Sequence, residues 1–283
     1  MNVAEAYQAC QDITRAEAKN FFYGIRLLPT AKRNAMSALY AYARRIDDIS
    51  DGALPQADKL AALAEVDGQV ALLAAGKLPD PTDPVLCGVH HATVTFAVPV
   101  IAVSEIVEGC RRDSTGFEYR TFADTEAYCR LVAGSVGRLS LGVFGCRRPE
   151  SGPGLADDLG VALQLTNILR DIVEDRGMGR IYIPADDIER FGCDADLGGP
   201  QPAVQALIEH YVGLAESFYE RGLQLLPLLD RRSRACVAAM SGIYRQLLTR
   251  IAADPLAVLR GRMSLSGKEK LVVAGRSLIG IAP

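Results

Sequence analysis

Helices alone account for the periodicity of this 283-residue chain, and a single all-α domain is the expectation. Apolar residues recur at helical spacing over long segments, and glycines and prolines separate those segments cleanly. The one β-prone stretch, T-V-T-F-A-V-P-V-I-A-V, has no strand-like partner nearby. Neither a repeat of fixed period nor a Ser/Gly/Pro-rich linker divides the chain.

The first helical segment covers residues 4–20. The second, 30–51, starts at Pro29-Thr30 and stops at Gly52, since proline suits a helix start and glycine an end. Residues 56–76 follow, then 83–112, where Pro99 interrupts a buried helix pair and kinks it. Residues 124–145, 154–176, 201–226 and 231–253 form the second half, with a short piece at 267–278. Between them, Arg176 to Pro202 is the longest candidate loop, with Gly177, Gly179, Gly192, Gly198 and Gly199 in it. Long loops in compact domains are often functional, and this one directly follows an acidic cluster, which makes it a candidate lid.

Composition narrows the function. The chain is 49% hydrophobic and 23% charged with a net charge of −3, so no basic bias points to nucleic acid. Seven cysteines occur singly; an odd, unpaired set argues against a disulfide framework and for a reducing compartment. Three histidines without helical spacing do not make a zinc site. The N-terminal residues lack a signal-peptide core, and the most apolar run, Ala92 to Val103, falls short of the ~20 residues that span a bilayer. A cytoplasmic protein is expected, with transient association at the inner face of the membrane for a lipid product and no oligomer specified.

The sharpest feature is A-R-R-I-D-D-I-S-D, Ala43 to Asp51, at the C-terminal end of a helix. Carboxylates there oppose the helix dipole, so local physics does not explain them. Tyr40, Arg44, Asp47 and Asp51 form one stripe at i, i+4, i+7, i+11. Gln164, Asn167, Asp171 and Asp175 form a second, on a helix apolar elsewhere. Buried amides without partners cost roughly 1–3 kcal/mol each, so this stripe needs a ligand. Oxygen ligands favour Mg²⁺, Mn²⁺ or Ca²⁺ over zinc, and Mg²⁺ held by carboxylates keeps substrate phosphates among its ligands. Arg44, Arg170 and Arg180 are placed to take diphosphate oxygens. Asp157, Asp158, Asp186 and Asp187, in first turns of helices, are read as structural.

These motifs resemble the squalene/phytoene synthase family, the head-to-head isoprenoid diphosphate synthases. D-D-I-S-D and D-I-V-E-D look like its two aspartate motifs. K-N-F-F-Y-G, Y-C-R-L-V-A-G-S-V-G, R-I-Y-I-P and I-Y-R-Q-L-L match in order along the chain. The resemblance implies an all-α isoprenoid-synthase bundle around a central apolar cavity. It assigns Asp47, Asp48, Asp51, Asp171 and Asp175 with Arg44 to Mg²⁺ and diphosphate. It sets Tyr128, Gln164 and Asn167 beside the reacting groups, with Tyr244 and Arg262 flanking them. Phe21, Phe22 and Ile25 are expected to set the floor of the prenyl pocket. Ala133, Gly134 and Gly137 are expected beside it, through close backbone approach or a local break. Some members carry a histidine before the segment that here reads N-F-F-Y; this chain has Glu17 and Lys19 nearby, so that role is in doubt.

The resemblance implies that Mg²⁺ and arginines draw diphosphate from one allylic substrate and a second substrate attacks the cation, with proton loss closing a cyclopropane. Either Tyr128 or the leaving diphosphate accepts the proton. The wording of the motifs is most similar to enzymes that join two farnesyl diphosphates into presqualene diphosphate, without NADPH. Phytoene synthase, joining two geranylgeranyl diphosphates, is the alternative, followed by dehydrosqualene or squalene synthase. A terpene cyclase and a non-catalytic relative fit less well, because both acidic motifs are complete.

Overall fold

The protein is described by a computed structural model covering residues 2–18 and 20–280. Its α-helices are α1 (Val3–Glu17), α2 (Phe21–Ile25), α3 (Thr30–Asp51), α4 (Gln56–Ala74), α5 (Pro84–Thr95), α6 (Val103–Thr115) and α7 (Phe122–Cys129), followed by α8 (Ser135–Phe144), α9 (Gly152–Arg170), α10 (Ile172–Gly177), α11 (Ala185–Phe191), α12 (Gln201–Gly222), α13 (Arg231–Ala253) and α14 (Gly267–Leu278). No strand occurs among the described residues. The all-α expectation is met, and no described helix is long and apolar enough to cross a membrane.

Side chains at the helix starts explain where several begin. Asp83 accepts from the N–H groups of Val85 and Leu86 just ahead of Pro84, and Asp230 does the same for Arg232 and Ser233. Thr121 with Asp124, and Ser266 with Glu269, form reciprocal capping boxes at α7 and α14. Gly116 ends α6 in the left-handed conformation that glycine adopts without strain.

Packing then decides the arrangement. α9 buries Ala156, Leu159, Val161, Ala162, Leu165, Ile168 and Leu169, and packs on α8, α12 and α13. Each fully buried Leu or Ile side chain contributes about 1.5–3 kcal/mol, so α9 is the central stave of the bundle. α3 lies in the other half against α1, α5 and α6. α8 touches both α3 and α9 and holds the halves together. Two buried phenols of the core find partners: Tyr42 donates to Gln69 at 3.0 Å, and Tyr219 lies 3.1 Å from the Thr166 hydroxyl.

Four expectations change. The 154–176 segment breaks at Asp171 (φ −104°, ψ 14°), giving α9 and α10, although the Asp175 N–H still reaches the Asp171 carbonyl at 2.8 Å. The candidate lid is no single loop, since α11 lies within it. Residues 83–112 form two helices, but the connector is a non-helical segment from Phe96 to Pro99 plus a short 3-10 turn rather than a kink. Between α7 and α8 the chain widens into a π turn, Arg130–Gly134, which supplies the local break expected at the glycines. All seven cysteines are unbonded thiols.

Candidate active site

The C-terminal turns of α3 and α6, the α9–α10 break and residues 178–183 meet around six aspartates. Asp47, Asp48 and Asp51 come from α3, Asp113 from α6, Asp171 from the break and Asp175 from α10. Four arginines answer three of these acids. Arg44 pairs with Asp48 at 2.7 Å, Arg180 with Asp51 at 2.6 Å, and both Arg170 and Arg262 with Asp171, the latter at 3.0 Å. Arg180 also donates to the Ser50 carbonyl at 3.1 Å. Among the described residues no arginine or lysine pairs with Asp47, Asp113 or Asp175.

Those three acids are the ones that resist ionisation. Burial, then the neighbouring Asp51, pushes Asp47 up to about 7 despite Arg44. Burial, then Asp171, does the same to Asp175, again to about 7, while Arg180 pulls the other way. Asp113 is raised chiefly by burial. It lies between the stripes, since Asp47 and Asp175 both feel its charge. An excess of desolvated carboxylate over cation is the arrangement a divalent ion or a proton relieves.

Asp113 is also the base of an aromatic stack. Tyr128 donates to it at 2.8 Å and Tyr182 at 3.0 Å, with the two hydroxyls 3.2 Å apart. The Tyr128 and Tyr182 rings are stacked at 4.8 Å, and Tyr119 meets Tyr128 edge-on at 5.5 Å. Burial, reinforced by Asp113, holds the Tyr128 phenol well above its usual value. Sequence reasoning missed Asp113 and Tyr182. Asp113 carried the signal used for Asp47, an acid in the last turn of a helix. Tyr182 stood inside R-I-Y-I-P, and the hydrogen bond from Thr125 to its carbonyl (2.6 Å) ties that segment over the site. A cleft of about 1170 Å³, lined by Asp51, Asp113, Tyr119, Arg180 and Tyr182, opens beside them.

The other expected residues fall into groups. Asn167 donates to Gln164 at 3.3 Å, yet its own Oδ1 is buried without a partner, as is Arg44 Nε. Tyr244 is buried, with the Arg170 guanidinium 6.0 Å from its ring. Phe21 packs on Tyr244 at 5.8 Å and Tyr40 at 6.2 Å, and Ile25 is in the core. Phe22 does not join them: its ring faces Tyr23 and Arg26 of its own segment, because α2 is too short to bury both faces. Gly134 and Gly137 show the close approach expected of them, and the surface they meet is α9. A Cβ on Gly134 would strike Asp157, and one on Gly137 the Ala156 carbonyl. Ala133 presents its carbonyl to Gly160, where an added Cβ would sit 2.5 Å away. Close packing on α9 explains all three. Glu17 is exposed at the end of α1, and Lys19 lies outside the described residues.

Residues 14–269 match the squalene/phytoene synthase family. The chain belongs to that family. It is 42% identical over 282 residues to a phytoene synthase of Mycobacterium tuberculosis, a match spanning 98% of this chain and 91% of that one. A phytoene synthase of Arthrospira platensis is 32% identical, over 95% of this chain and 91% of the other. The crystal structure of a dehydrosqualene synthase in complex with ligand superimposes with a TM-score of 0.88 at 30% identity, covering 97% of this chain and 96% of that one. The family is one of enzymes that condense isoprenoid diphosphates head to head. Phytoene synthases dominate these relatives, so the expectation of a presqualene diphosphate synthase is not the one they favour.

Members of the family generally use Mg²⁺. No group of three acidic, histidine or cysteine side chains converges into a ready-made metal cage among the described residues. The donor set nevertheless fits: hard oxygens in excess of their cations, with the unpartnered Asn167 Oδ1 beside them. Mg²⁺ keeps waters and substrate phosphates among its ligands and does not need a full protein cage.

Proposed function

We infer that the protein joins two molecules of geranylgeranyl diphosphate head to head to form phytoene, releasing diphosphate. The observation that carries this is the near full-length identity of 42% to a phytoene synthase, in a chain whose two aspartate stripes meet at Asp113. Asp47, Asp51, Asp171 and Asp175 are the residues that would hold Mg²⁺, with Asp48 beside them. Mg²⁺ bound there supplies Lewis-acid stabilisation of the departing diphosphate.

The chain's own groups do the rest. Arg44, Arg180 and Arg262 exchange carboxylates for diphosphate oxygens as substrate enters, while Arg170, buried on Asp171 and Tyr244, fixes the Asp171 carboxylate. Phe21, Ile25, Tyr40 and Tyr244 provide apolar surface for the prenyl chain nearest the reacting carbon, where each buried CH₂ contributes ~0.8 kcal/mol. Tyr128 donates to Asp113, so it accepts a proton from the substrate only by passing its own to that carboxylate. Tyr128 and Asp113 therefore act as one acceptor, and the raised Asp113 suits it to hold the proton.

A second reading rests on the 0.88 superposition with a dehydrosqualene synthase, under which two farnesyl diphosphates are joined instead. Purified protein with Mg²⁺ and either farnesyl or geranylgeranyl diphosphate, without NADPH, separates the readings by mass spectrometry. Phytoene from the twenty-carbon substrate supports the first. Cyclopropyl diphosphate or a thirty-carbon hydrocarbon from the fifteen-carbon substrate, with no phytoene, replaces it by the second.

A further inference from the structure

The aspartates of the site differ in what holds them. Asp48 and Asp51 each take an arginine, Asp171 takes two, and Asp113 accepts from two phenols. Asp47 has neither kind of partner. Among the described residues its carboxylate meets a single donor, the thiol of Cys110, with Sγ 3.8 Å from Oδ1.

Both sides of that contact are fixed by the fold. Cys110 is 1% exposed on α6, which packs on α3. The Ser114 hydroxyl donates to the Cys110 carbonyl at 2.8 Å and holds this turn of α6. Gly109 lets α6 press against the π turn, since a Cβ there would strike Val132. On α3 the Ser50 hydroxyl donates to the Asp47 carbonyl at 3.0 Å. Three residues apart on one face, α6 therefore offers a thiol to Asp47 and a carboxylate to Tyr128 and Tyr182.

The kind of donor matters. An arginine in this place would make a charge-assisted bond and compete with a divalent ion for the carboxylate. A thiol is a weak, neutral donor, so it orients Asp47 and leaves its charge for a metal. A ligand whose orientation is set beforehand by an outer partner binds metal more tightly.

We propose that Cys110 is a positioning residue for the metal site: its thiol holds the Asp47 carboxylate in place without neutralising it, which pre-sets that ligand for the divalent ion. This rests on the reading above that Asp47 takes the metal, and it is independent of which prenyl diphosphate is joined. A buried cysteine is otherwise a small apolar side chain that fills space, and the two roles differ in what alanine and serine do in its place.

Titration of the full-length protein with Mn²⁺, with the free ion read by electron paramagnetic resonance, separates them. Cys110→Ala should raise the Mn²⁺ dissociation constant about five- to tenfold, toward the low end for an outer partner because the donor is weak. Cys110→Ser keeps a donor and should restore most of the affinity. The Mg²⁺ concentration that gives half-maximal turnover should shift with the Mn²⁺ constant, while maximal turnover falls less. In an Asp47→Asn background, Cys110→Ala should weaken Mn²⁺ binding no further. Unchanged Mn²⁺ binding in Cys110→Ala, where Asp47→Asn has lost it, overturns the proposal alone. So does an equal loss in the alanine and serine variants. Undiminished Mn²⁺ binding in Asp47→Asn overturns it together with the reading of Asp47 as a metal ligand.

Discussion

The two ends of α9 hold carboxylates in opposite circumstances. At the N-terminal end Asp157 pairs with Arg130 at 2.7 Å and with Arg138, while Asp158 pairs with Arg130 and Arg221, each at 3.1 Å. The helix dipole favours acids there, and every charge has a partner. At the C-terminal end the dipole opposes Asp171, and among the described residues no arginine or lysine is paired with Asp47, Asp113 or Asp175. The first cluster is complete and fastens α7, α8, α9 and α12 together. The second is short of cations among the described residues, and on the function inferred above a metal-bound diphosphate makes up the difference. Acidity alone does not mark a functional carboxylate; a missing partner does.

That contrast breaks most visibly by substitution. Asp47→Asn or Asp175→Asn should lower turnover at least a hundredfold, on the order of losing one element of transition-state charge stabilisation. The same changes should raise the melting temperature of the metal-free protein by roughly 2–4 °C, as a gain of about 1 kcal/mol does in a domain of this size. A fall in melting temperature, read by circular dichroism, would return these acids to the structural class.

At the other end Arg130→Ala should behave in reverse. It leaves Asp157 and Asp158 short of a cation and costs roughly 1–3 kcal/mol, discounted for partial exposure. The folded fraction should retain near-normal turnover per molecule at low temperature. Activity lost without loss of stability would show that the first cluster also takes part in the chemistry.

The smallest effect sharpens the comparison through pH. Asp47 and Asp175 are raised from the ordinary carboxylate range to about 7. Between about pH 4 and pH 7 the folded protein thus holds protons that the unfolded chain has released. Stability of the metal-free protein should fall as pH rises through that window and level off above it. Mg²⁺ takes the place of the protons, so the melting-temperature increase that it gives should be larger at pH 8 than at pH 6. Calorimetry in buffers of different ionisation enthalpy should show proton release on Mg²⁺ binding at pH 6.5.

Much of this was legible along the chain. Pro29 and Gly52 mark the two ends of α3, and the spacing of Asp47 and Asp51 put both on one face. The family motifs added Tyr128, Tyr244 and Arg262. What stayed hidden depends on contacts between distant segments. Asp113 gains its meaning only when α6 brings it to Tyr128 and Tyr182. The break at Asp171 sits where a continuous helical pattern gave no breaker. Phe21 and Phe22 look alike in sequence, and only the orientation of a one-turn helix separates the ring packed on Tyr244 from the other.

The π turn at Arg130–Gly134 couples the two clusters in rotational phase. One extra residue in a helical turn offsets everything beyond it by about 100°. Tyr128 lies before the offset and turns to Asp113; Arg138 lies after it and turns to Asp157. One nearly continuous rod thus carries Tyr128 toward Asp113 and, with Arg130 and Arg138, grips Asp157 on α9. The widened turn thus sits between the residue that reaches the aspartate site and those that fasten α9.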